Sequence, residues 1–78
     1  MKFIIYGKPA CPFCTKAKEL CEQKGAQYAY EDVGSKEDVA RLQEKIGRPV
    51  STVPQIFMMS EGFAEYIGGY DELLKRLS

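Results

Sequence analysis

Apolar and polar residues change their spacing along the chain, and each spacing predicts one kind of element. Residues 2–6 form a short run of β-branched and aromatic residues, which predicts a strand ending at Gly7. Apolar residues at helical spacing follow from 15 to 24 and stop at Gly25, and residues 27–31 predict a second strand. A strand, a helix and a strand in this order predict a right-handed crossover with the two strands parallel.

The next stretch predicts a second helix and a third strand. Ser35 and Asp38 resemble a capping box at the start of the helix, and Gly47 marks its end. Between them, three apolar residues recur at helical spacing: Val39, Leu42 and Ile46. Residues 53–59 then predict a strand with Pro54 near its beginning, where the N–H that proline lacks is least needed.

The last stretch predicts a hairpin and a short helix. A turn at 60–62 lets a strand at 63–67 pair back on the third strand. Residues 71–77 then predict a helix that directs three leucines inward: Leu73, Leu74 and Leu77. The predicted order is β-α-β-α-β-β-α, in an α/β fold formed by a single domain that spans residues 1–78.

Composition and charge narrow the classes of function. The chain has 78 residues, 45% hydrophobic and 28% charged, which is ordinary for one globular domain. Lys plus Arg equals Asp plus Glu at 11 each, so nothing points to nucleic acid or a membrane surface as a partner. No apolar run approaches the ~18 residues of a membrane span, and no small-residue cleavage site follows the first apolar run. We therefore expect a cytoplasmic protein, in a compartment that keeps thiols reduced.

The candidate chemistry lies in Cys11-Pro12-Phe13-Cys14, between the first strand and the first helix. Pro12 suits the first helical position, which makes Cys11 the N-cap. Backbone N–H groups and the helix dipole favour negative charge there, and thiols in such motifs have pKa values lowered from about 8.5 to about 3.5–7.5. We therefore predict that Cys11 is the nucleophile and that Cys14, one turn inside the helix, is a buried resolving thiol.

Other uses of this motif fit the chain less well. A structural zinc site usually takes about four Cys or His ligands, but the chain has no His and only one further cysteine, Cys21, so no metal site is predicted. A static disulfide is typical of secreted scaffolds that are richer in cysteine. Cys21 lies two turns beyond Cys14, too far for a disulfide without distortion, and is predicted to be a small buried hydrophobic residue. On the same helix, Phe13, Ala17 and Leu20 are predicted to share one face.

The start of the chain is locally basic. Residues 1–18 contain no acidic residue and four lysines: Lys2, Lys8, Lys16 and Lys18. This surplus favours a thiolate at the motif and would attract a substrate that carries a carboxylate. For Lys2 and Lys18 a purely solvated role is the simpler interpretation.

The chain resembles a glutaredoxin in three motifs and in its order of elements. The motifs are Lys8-Pro9-Ala10-Cys11-Pro12-Phe13-Cys14, Thr52-Val53-Pro54-Gln55-Ile56-Phe57 and Gly68-Gly69-Tyr70-Asp71. The resemblance covers nearly the whole chain and implies a thioredoxin fold, with a four-stranded mixed sheet in the order 2-1-3-4 flanked by three helices. It also implies a cis peptide bond between Val53 and Pro54, next to the Cys-X-X-Cys motif.

The resemblance further implies a glutathione-binding site whose residues match the family's motifs: Lys8, Phe13, Thr52, Val53, Pro54, Tyr70 and Asp71. Lys8 would face the glycine carboxylate, and the Thr-Val-Pro segment would pair with the cysteinyl backbone. Tyr70 and Asp71 would receive the γ-glutamyl end, whose ammonium suits the Asp71 carboxylate. Phe13 stands where the family usually has Tyr, so it would supply packing without a hydroxyl.

Two features depart from the family pattern. The loop 47–52 is longer than is usual between the second helix and Thr-Val-Pro. Many members also direct a basic or Gln side chain from the second helix at the glycine carboxylate, and the matching residue here is Val39, which cannot do so. Arg41 and Arg48 are the candidate substitutes, and the sequence favours neither.

The resemblance implies glutathione-dependent reduction of protein disulfides and glutathione mixed disulfides, by a monomer with no permanently bound cofactor and glutathione as co-substrate. The implied partners are disulfide-bearing or glutathionylated proteins, with ribonucleotide reductase as one candidate. Two alternatives stay open: a thioredoxin-like dithiol reductase served by a flavoprotein, and a module that binds an iron–sulfur cluster, which Pro12 is usually taken to disfavour. A non-enzymatic adaptor with this fold would need neither the cysteine pair nor Val53-Pro54.

Overall fold

The computed structural model describes residues 2–78, which form four strands and three helices. In chain order the elements are β1 Lys2–Gly7, α1 Pro12–Gln23, β2 Gln27–Asp32, α2 Lys36–Ile46, β3 Gln55–Ser60, β4 Phe63–Gly68 and α3 Tyr70–Leu77. This is the order predicted from the sequence. None of the helices in this part of the chain is long and apolar enough to cross a membrane.

The four strands form one mixed sheet in the order β2-β1-β3-β4, which confirms the predicted thioredoxin fold. β1 and β2 are parallel, with Lys2 opposite Gln27, because α1 carries the chain back along the sheet between them. β3 is antiparallel to both β1 and β4, and the β3–β4 hairpin turns at Glu61 and Gly62. The Cys-X-X-Cys motif therefore lies at the carboxyl end of an inner strand.

Side chains alternate across β1, so the core divides into two clusters, one on each face of the sheet. The larger cluster lies on the face covered by α1 and α3, and it consists of Phe3, Ile5, Ala17, Leu20, Cys21, Ile56 and Leu73. The smaller cluster lies under α2 and consists of Tyr6, Val33, Leu42 and Phe57. α1 and the loop before β3 therefore pack against different sets of core side chains.

The helix ends follow the capping signals in the sequence. Cys11 is the N-cap of α1, with Pro12 at the first helical position. The Ser35 hydroxyl accepts a hydrogen bond from the Asp38 backbone N–H at 3.1 Å, which caps α2 as predicted. Gly47 ends α2 with a φ of 84°, a conformation that glycine adopts without steric cost.

β3 begins two residues later than predicted. Its first residue is Gln55, because Pro54 has no N–H to donate to the neighbouring strand. The expected cis peptide bond between Val53 and Pro54 is present just before it. The preceding loop is tied to α2, since the Val50 backbone N–H donates to Gln43 Oε1 at 3.0 Å.

Two predicted inward faces are wrong in part. Leu73 is fully buried, but Leu74 is 40% exposed, because adjacent helical residues point about 100° apart. Phe13 is 52% exposed and does not share the buried face of Ala17. It lies in the first turn of α1 and packs instead against the Tyr70 ring of α3, at a centroid distance of 5.9 Å.

Candidate functional site

The two cysteines of the motif are paired, and they differ in exposure. Cys11 and Cys14 form a disulfide with their Cα atoms 5.2 Å apart. Cys14 is 1% exposed, whereas Cys11 is only partly buried. An incoming sulfur can therefore reach Cys11 from solvent but not Cys14, which gives the pair an outer and an inner member.

The outer cysteine sits at the amino end of α1. The Cys14 backbone N–H donates to Cys11 Sγ at 3.2 Å, so the sulfur occupies the position of a capping oxygen. The Cys11 carbonyl accepts from the Thr15 N–H at 3.1 Å, which closes the first helical turn behind it. When the disulfide is reduced, the N–H groups and the helix dipole favour negative charge on this sulfur.

The inner cysteine shares a tight space with a tyrosine from β2. A Cβ atom placed on Gly7 would lie 2.7 Å from Cys14 Sγ and 2.7 Å from the Tyr30 hydroxyl, so only glycine fits at the end of β1. The Tyr30 hydroxyl donates to the Lys8 carbonyl at 3.1 Å and anchors the loop before the motif. Burial, helped by the Asp32 charge, raises the pKa of Tyr30, so the phenol keeps its proton at neutral pH.

A groove begins beside the outer cysteine. Cys11 Sγ lies 3.8 Å from the Val53 carbonyl oxygen. Because the sulfur carries no proton in the disulfide, this contact is not a hydrogen bond. The groove has a volume of about 210 Å³, and six of the predicted residues line it: Phe13, Thr52, Val53, Pro54, Tyr70 and Asp71. The structure thus brings the loop before β3 and the start of α3 together around one cleft.

Two further residues of this groove were not predicted. Gly69 and Glu72 complete its lining at the amino end of α3. The Glu72 carboxylate accepts from the Gly69 backbone N–H at 2.8 Å, so it satisfies one free N–H of the helix. A glutamate three residues after a helix N-cap is one half of a capping box, and this spacing could have revealed it.

Lys8 lies apart from the main groove. It lines a smaller hollow of about 110 Å³ on the other side of the 52–53 backbone, together with Val39 and Val50. Because Val39 is apolar, it offers no hydrogen bond or charge to a carboxylate in this hollow. Arg41 is ion-paired with Asp38 at 2.7 Å in a different cavity, so it does not join Lys8.

The third cysteine is not part of this site. Cys21 is fully buried within the larger core cluster, and burial, with a smaller contribution from Glu22, raises its pKa. It is therefore a protonated, enclosed thiol, in agreement with its predicted packing role. Residues 2–78 contain no group of three or more His, Cys, Asp or Glu residues placed to hold a metal ion.

Comparison with known proteins assigns the chain and its fold to one family. The family model described as Glutaredoxin matches residues 3–63. The chain belongs to the glutaredoxin family. This glutaredoxin is 41% identical over 81 residues to Glutaredoxin 1 of Escherichia coli (strain K12), with 92% of this chain and 87% of the relative covered. It is 40% identical over 75 residues to the glutaredoxin of Vibrio cholerae serotype O1, with 88% and 82% covered.

Solved structures agree with this assignment. Reduced E. coli glutaredoxin superposes on this glutaredoxin with a TM-score of 0.74 at 40% identity, covering 99% of this chain and 93% of that one. A buckwheat glutaredoxin–glutathione complex gives a TM-score of 0.73 at 27% identity, covering 95% and 66%. The family and fold predicted from the sequence are confirmed, and the chain is a thiol–disulfide oxidoreductase.

Proposed function

We propose that this enzyme uses glutathione to reduce glutathione mixed disulfides and protein disulfides, with Cys11 as the nucleophile and Cys14 as the resolving thiol. One observation carries the proposal: the accessible sulfur of the pair lies at the mouth of a groove, and its partner is sealed inside. A substrate disulfide that enters along the groove would meet Cys11 rather than Cys14.

The groove suits a short peptide with charged ends. Thr52 and Val53 line one wall, and the Val53 backbone there can pair with an extended peptide, as a strand does. At one end the Asp71 carboxylate matches an ammonium, and beyond the 52–53 backbone Lys8 matches a carboxylate. Glutathione carries both groups, and the buckwheat relative was solved as a glutathione complex.

Phe13 forms an aromatic wall of the groove and supplies packing at a position where the family usually has a tyrosine hydroxyl. Phe13 is half-exposed, touches Tyr70 on one side, and has the Lys16 ammonium 5.1 Å from its ring centroid. An apolar face capped by a cation suits the methylene and sulfur atoms of a glutathionyl group whose carboxylates remain in water. We therefore assign Phe13 to packing against the substrate rather than to a hydrogen bond.

The glutathione branch conserves charge and electrons. The Cys11 thiolate attacks the glutathionyl sulfur of a mixed disulfide; the S–S bond breaks, and the protein thiolate leaves and takes a proton from solvent. A glutathione thiolate then attacks the same glutathionyl sulfur on Cys11. Glutathione disulfide leaves and the Cys11 thiolate returns. The net reaction converts one mixed disulfide and one glutathione into a protein thiol and glutathione disulfide.

The dithiol branch uses the inner cysteine. When Cys11 is joined to a protein substrate, the Cys14 thiolate attacks Cys11 Sγ, releases the reduced protein, and forms the Cys11–Cys14 disulfide. Two glutathiones then restore both thiols and leave as glutathione disulfide. Cys14 can approach Cys11 Sγ directly, because both cysteines lie on one helical turn.

The test separates the two branches with two variants. Cys11→Ser should abolish activity, while Cys14→Ser should retain turnover of a glutathionylated peptide and lose reduction of a protein disulfide. Both are read from glutathione disulfide formation, with the wild type run against thioredoxin reductase as an alternative electron donor. Full activity in Cys11→Ser would reject the nucleophile, and reduction by the flavoprotein but not by glutathione would reject the co-substrate.

The wider setting follows from the same reasoning. We propose that residues 1–78 act as a single domain and a monomer in the cytoplasm, without nucleic acid or membrane as partner and without a permanently bound cofactor. The protein substrates are disulfide-bearing or glutathionylated proteins, with ribonucleotide reductase as one candidate. Trapping in the absence of glutathione would identify them by mass spectrometry, with the Cys14→Ser variant, which has no second thiol at the site to release a protein joined to Cys11.

A further inference from the structure

A glutamine is buried directly behind the ligand groove. Gln55 is 7% exposed and is the one amide or charged side chain that is buried within residues 2–78. Burying an amide costs free energy unless its polar atoms are hydrogen-bonded. No buried side-chain N or O atom in this part of the chain lacks such a partner, so the contacts of Gln55 explain how it is accommodated.

The amide nitrogen of Gln55 holds the groove wall. Gln55 Nε2 donates to the Thr52 carbonyl at 2.9 Å and lies 3.3 Å from the Thr52 hydroxyl oxygen, a second acceptor. Thr52 is exposed and directly precedes Val53, whose carbonyl faces Cys11. The orientation of the Thr52–Val53 peptide, which is one wall of the groove, is therefore fixed from inside the protein.

The amide oxygen of Gln55 is held by one residue from β4, Tyr66, which is itself bonded by Arg48. It accepts a hydrogen bond from the hydroxyl of Tyr66 in β4. Arg48 Nη2 donates to the same hydroxyl at 3.3 Å, and its guanidinium carbon lies 5.4 Å from the centre of the Tyr66 ring. Each donor points the same way, from Arg48 through Tyr66 and Gln55 to Thr52, so each bond polarises the next.

This series of hydrogen bonds connects the two ends of the 47–52 loop. Arg48 stands at the beginning of the loop and Thr52 at its end, and the hydrogen bonds join the two through side chains of β3 and β4. Arg48 lines a cavity with Tyr66 and Gln55 that does not include Lys8, so its place is behind the wall rather than on the ligand. The extra length of this loop thus brings a cation to the back of the groove.

We propose that Arg48, Tyr66 and Gln55 form a clamp that sets the Thr52–Val53 peptide in its ligand-binding orientation. The clamp rests on the proposed function, because it acts on the wall that is assigned to glutathione. Its members are positioning residues: they touch neither sulfur and act through Thr52. Loosening the clamp should weaken binding of the glutathionyl group and leave the chemistry at Cys11 unchanged.

The test removes one hydroxyl. Tyr66→Phe leaves the ring in place but takes the donor from Gln55 and the acceptor from Arg48. With a glutathionylated peptide in the Cys14→Ser background, we expect KM to rise about three- to tenfold, the range set by one hydrogen bond, with kcat and its pH profile unchanged. Backbone amide shifts of Thr52 and Val53 in NMR spectra should move in the same variant.

The matched control is another tyrosine on the same face of the sheet. The Tyr6 hydroxyl accepts from Lys45 Nζ at 3.0 Å, and its ring packs against Phe57 at 5.8 Å, as the Tyr66 ring does at 5.4 Å. Tyr6→Phe should lower the melting temperature by a similar amount without changing KM. Equal KM values in the two variants, or a loss confined to kcat, would overturn the clamp.

A second variant keeps the test decisive if Tyr66→Phe does not fold. Arg48→Gln removes the exposed end of the clamp, and we expect KM to rise about two- to threefold, since water partly replaces the guanidinium. An unchanged KM in Arg48→Gln would then reject the clamp. Absence of turnover in the wild-type protein would instead reject the proposed function, so the two failures are distinguishable.

Discussion

Gly7 gives the sharpest test of how the inner cysteine is packed. In Gly7→Ala the new methyl group would lie 2.7 Å from both Cys14 Sγ and the Tyr30 hydroxyl. Ordinary contacts between such atoms are about 3.5–4.0 Å, so both neighbours are about 1 Å too close. Both of them must move, or the end of β1 must shift away from them.

The magnitude follows from three opposing contributions. Overpacking costs about 1–3 kcal/mol, and if Tyr30 swings away, its hydrogen bond to the Lys8 carbonyl adds about 0.5–1.5 kcal/mol. Removing glycine from the unfolded chain returns about 0.4–1 kcal/mol, since the φ of Gly7 is not in the left-handed region. We expect a net loss of about 1–3 kcal/mol, which lowers the melting temperature by about 5–20 °C.

The assay is thermal and urea unfolding of the reduced protein, with two double variants as controls. Cys14→Ala and Tyr30→Phe each remove one of the atoms that the methyl group meets, so Gly7→Ala should cost less in either background. A Gly7→Ala variant as stable as the wild type would refute the reasoning. So would a cost that is the same in the wild type and in both backgrounds.

Three further predictions concern binding, reactivity and packing. Asp71→Asn should raise KM for a glutathionylated peptide about three- to tenfold, and an unchanged KM would contradict its role. In the reduced protein, iodoacetamide near neutral pH should label Cys11 and spare Cys21, as mass spectrometry would show. Burial raises the pKa of Cys21 in the folded state, so the free energy of unfolding should fall as the pH rises above 9.0, where the unfolded thiol ionises first. Leu73→Ala should cost about 2–5 kcal/mol in urea unfolding and Leu74→Ala under about 1 kcal/mol; equal costs would contradict the observed burial.

The sequence predicted those features that depend on neighbours in the chain. Pro12 and Gly47 mark helix ends through local backbone chemistry, and the cysteine pair lies within one helical turn. The strand order came from the resemblance, and the parallel pairing of β1 and β2 came from the right-handed crossover. Phe13 was misplaced because helical spacing says which residues share a side of the helix, but not how much of that side other elements cover.

The contacts behind the groove could not be predicted, because they join residues that are distant along the chain. Tyr66 bonds Gln55 across 11 residues and Arg48 across 18, while the Tyr30 hydroxyl reaches the Lys8 carbonyl across 22. No periodicity links such pairs, and only the folded sheet and its loops bring them together. The roles of the groove residues toward glutathione stay predictions until they are measured.

The division of the core has a consequence for how the molecule opens. α1 rests on the larger cluster, whereas Val50 and Val53 of the groove loop pack against the smaller one under α2. A fluctuation that lifts α2 from the sheet would free this loop while the cysteines stay docked. Under mild denaturant we therefore expect amides of α2 and residues 48–53 to exchange with deuterium before those of α1. A molecule opened in this way would keep its cysteine pair in place but would lose the wall that we propose for glutathione.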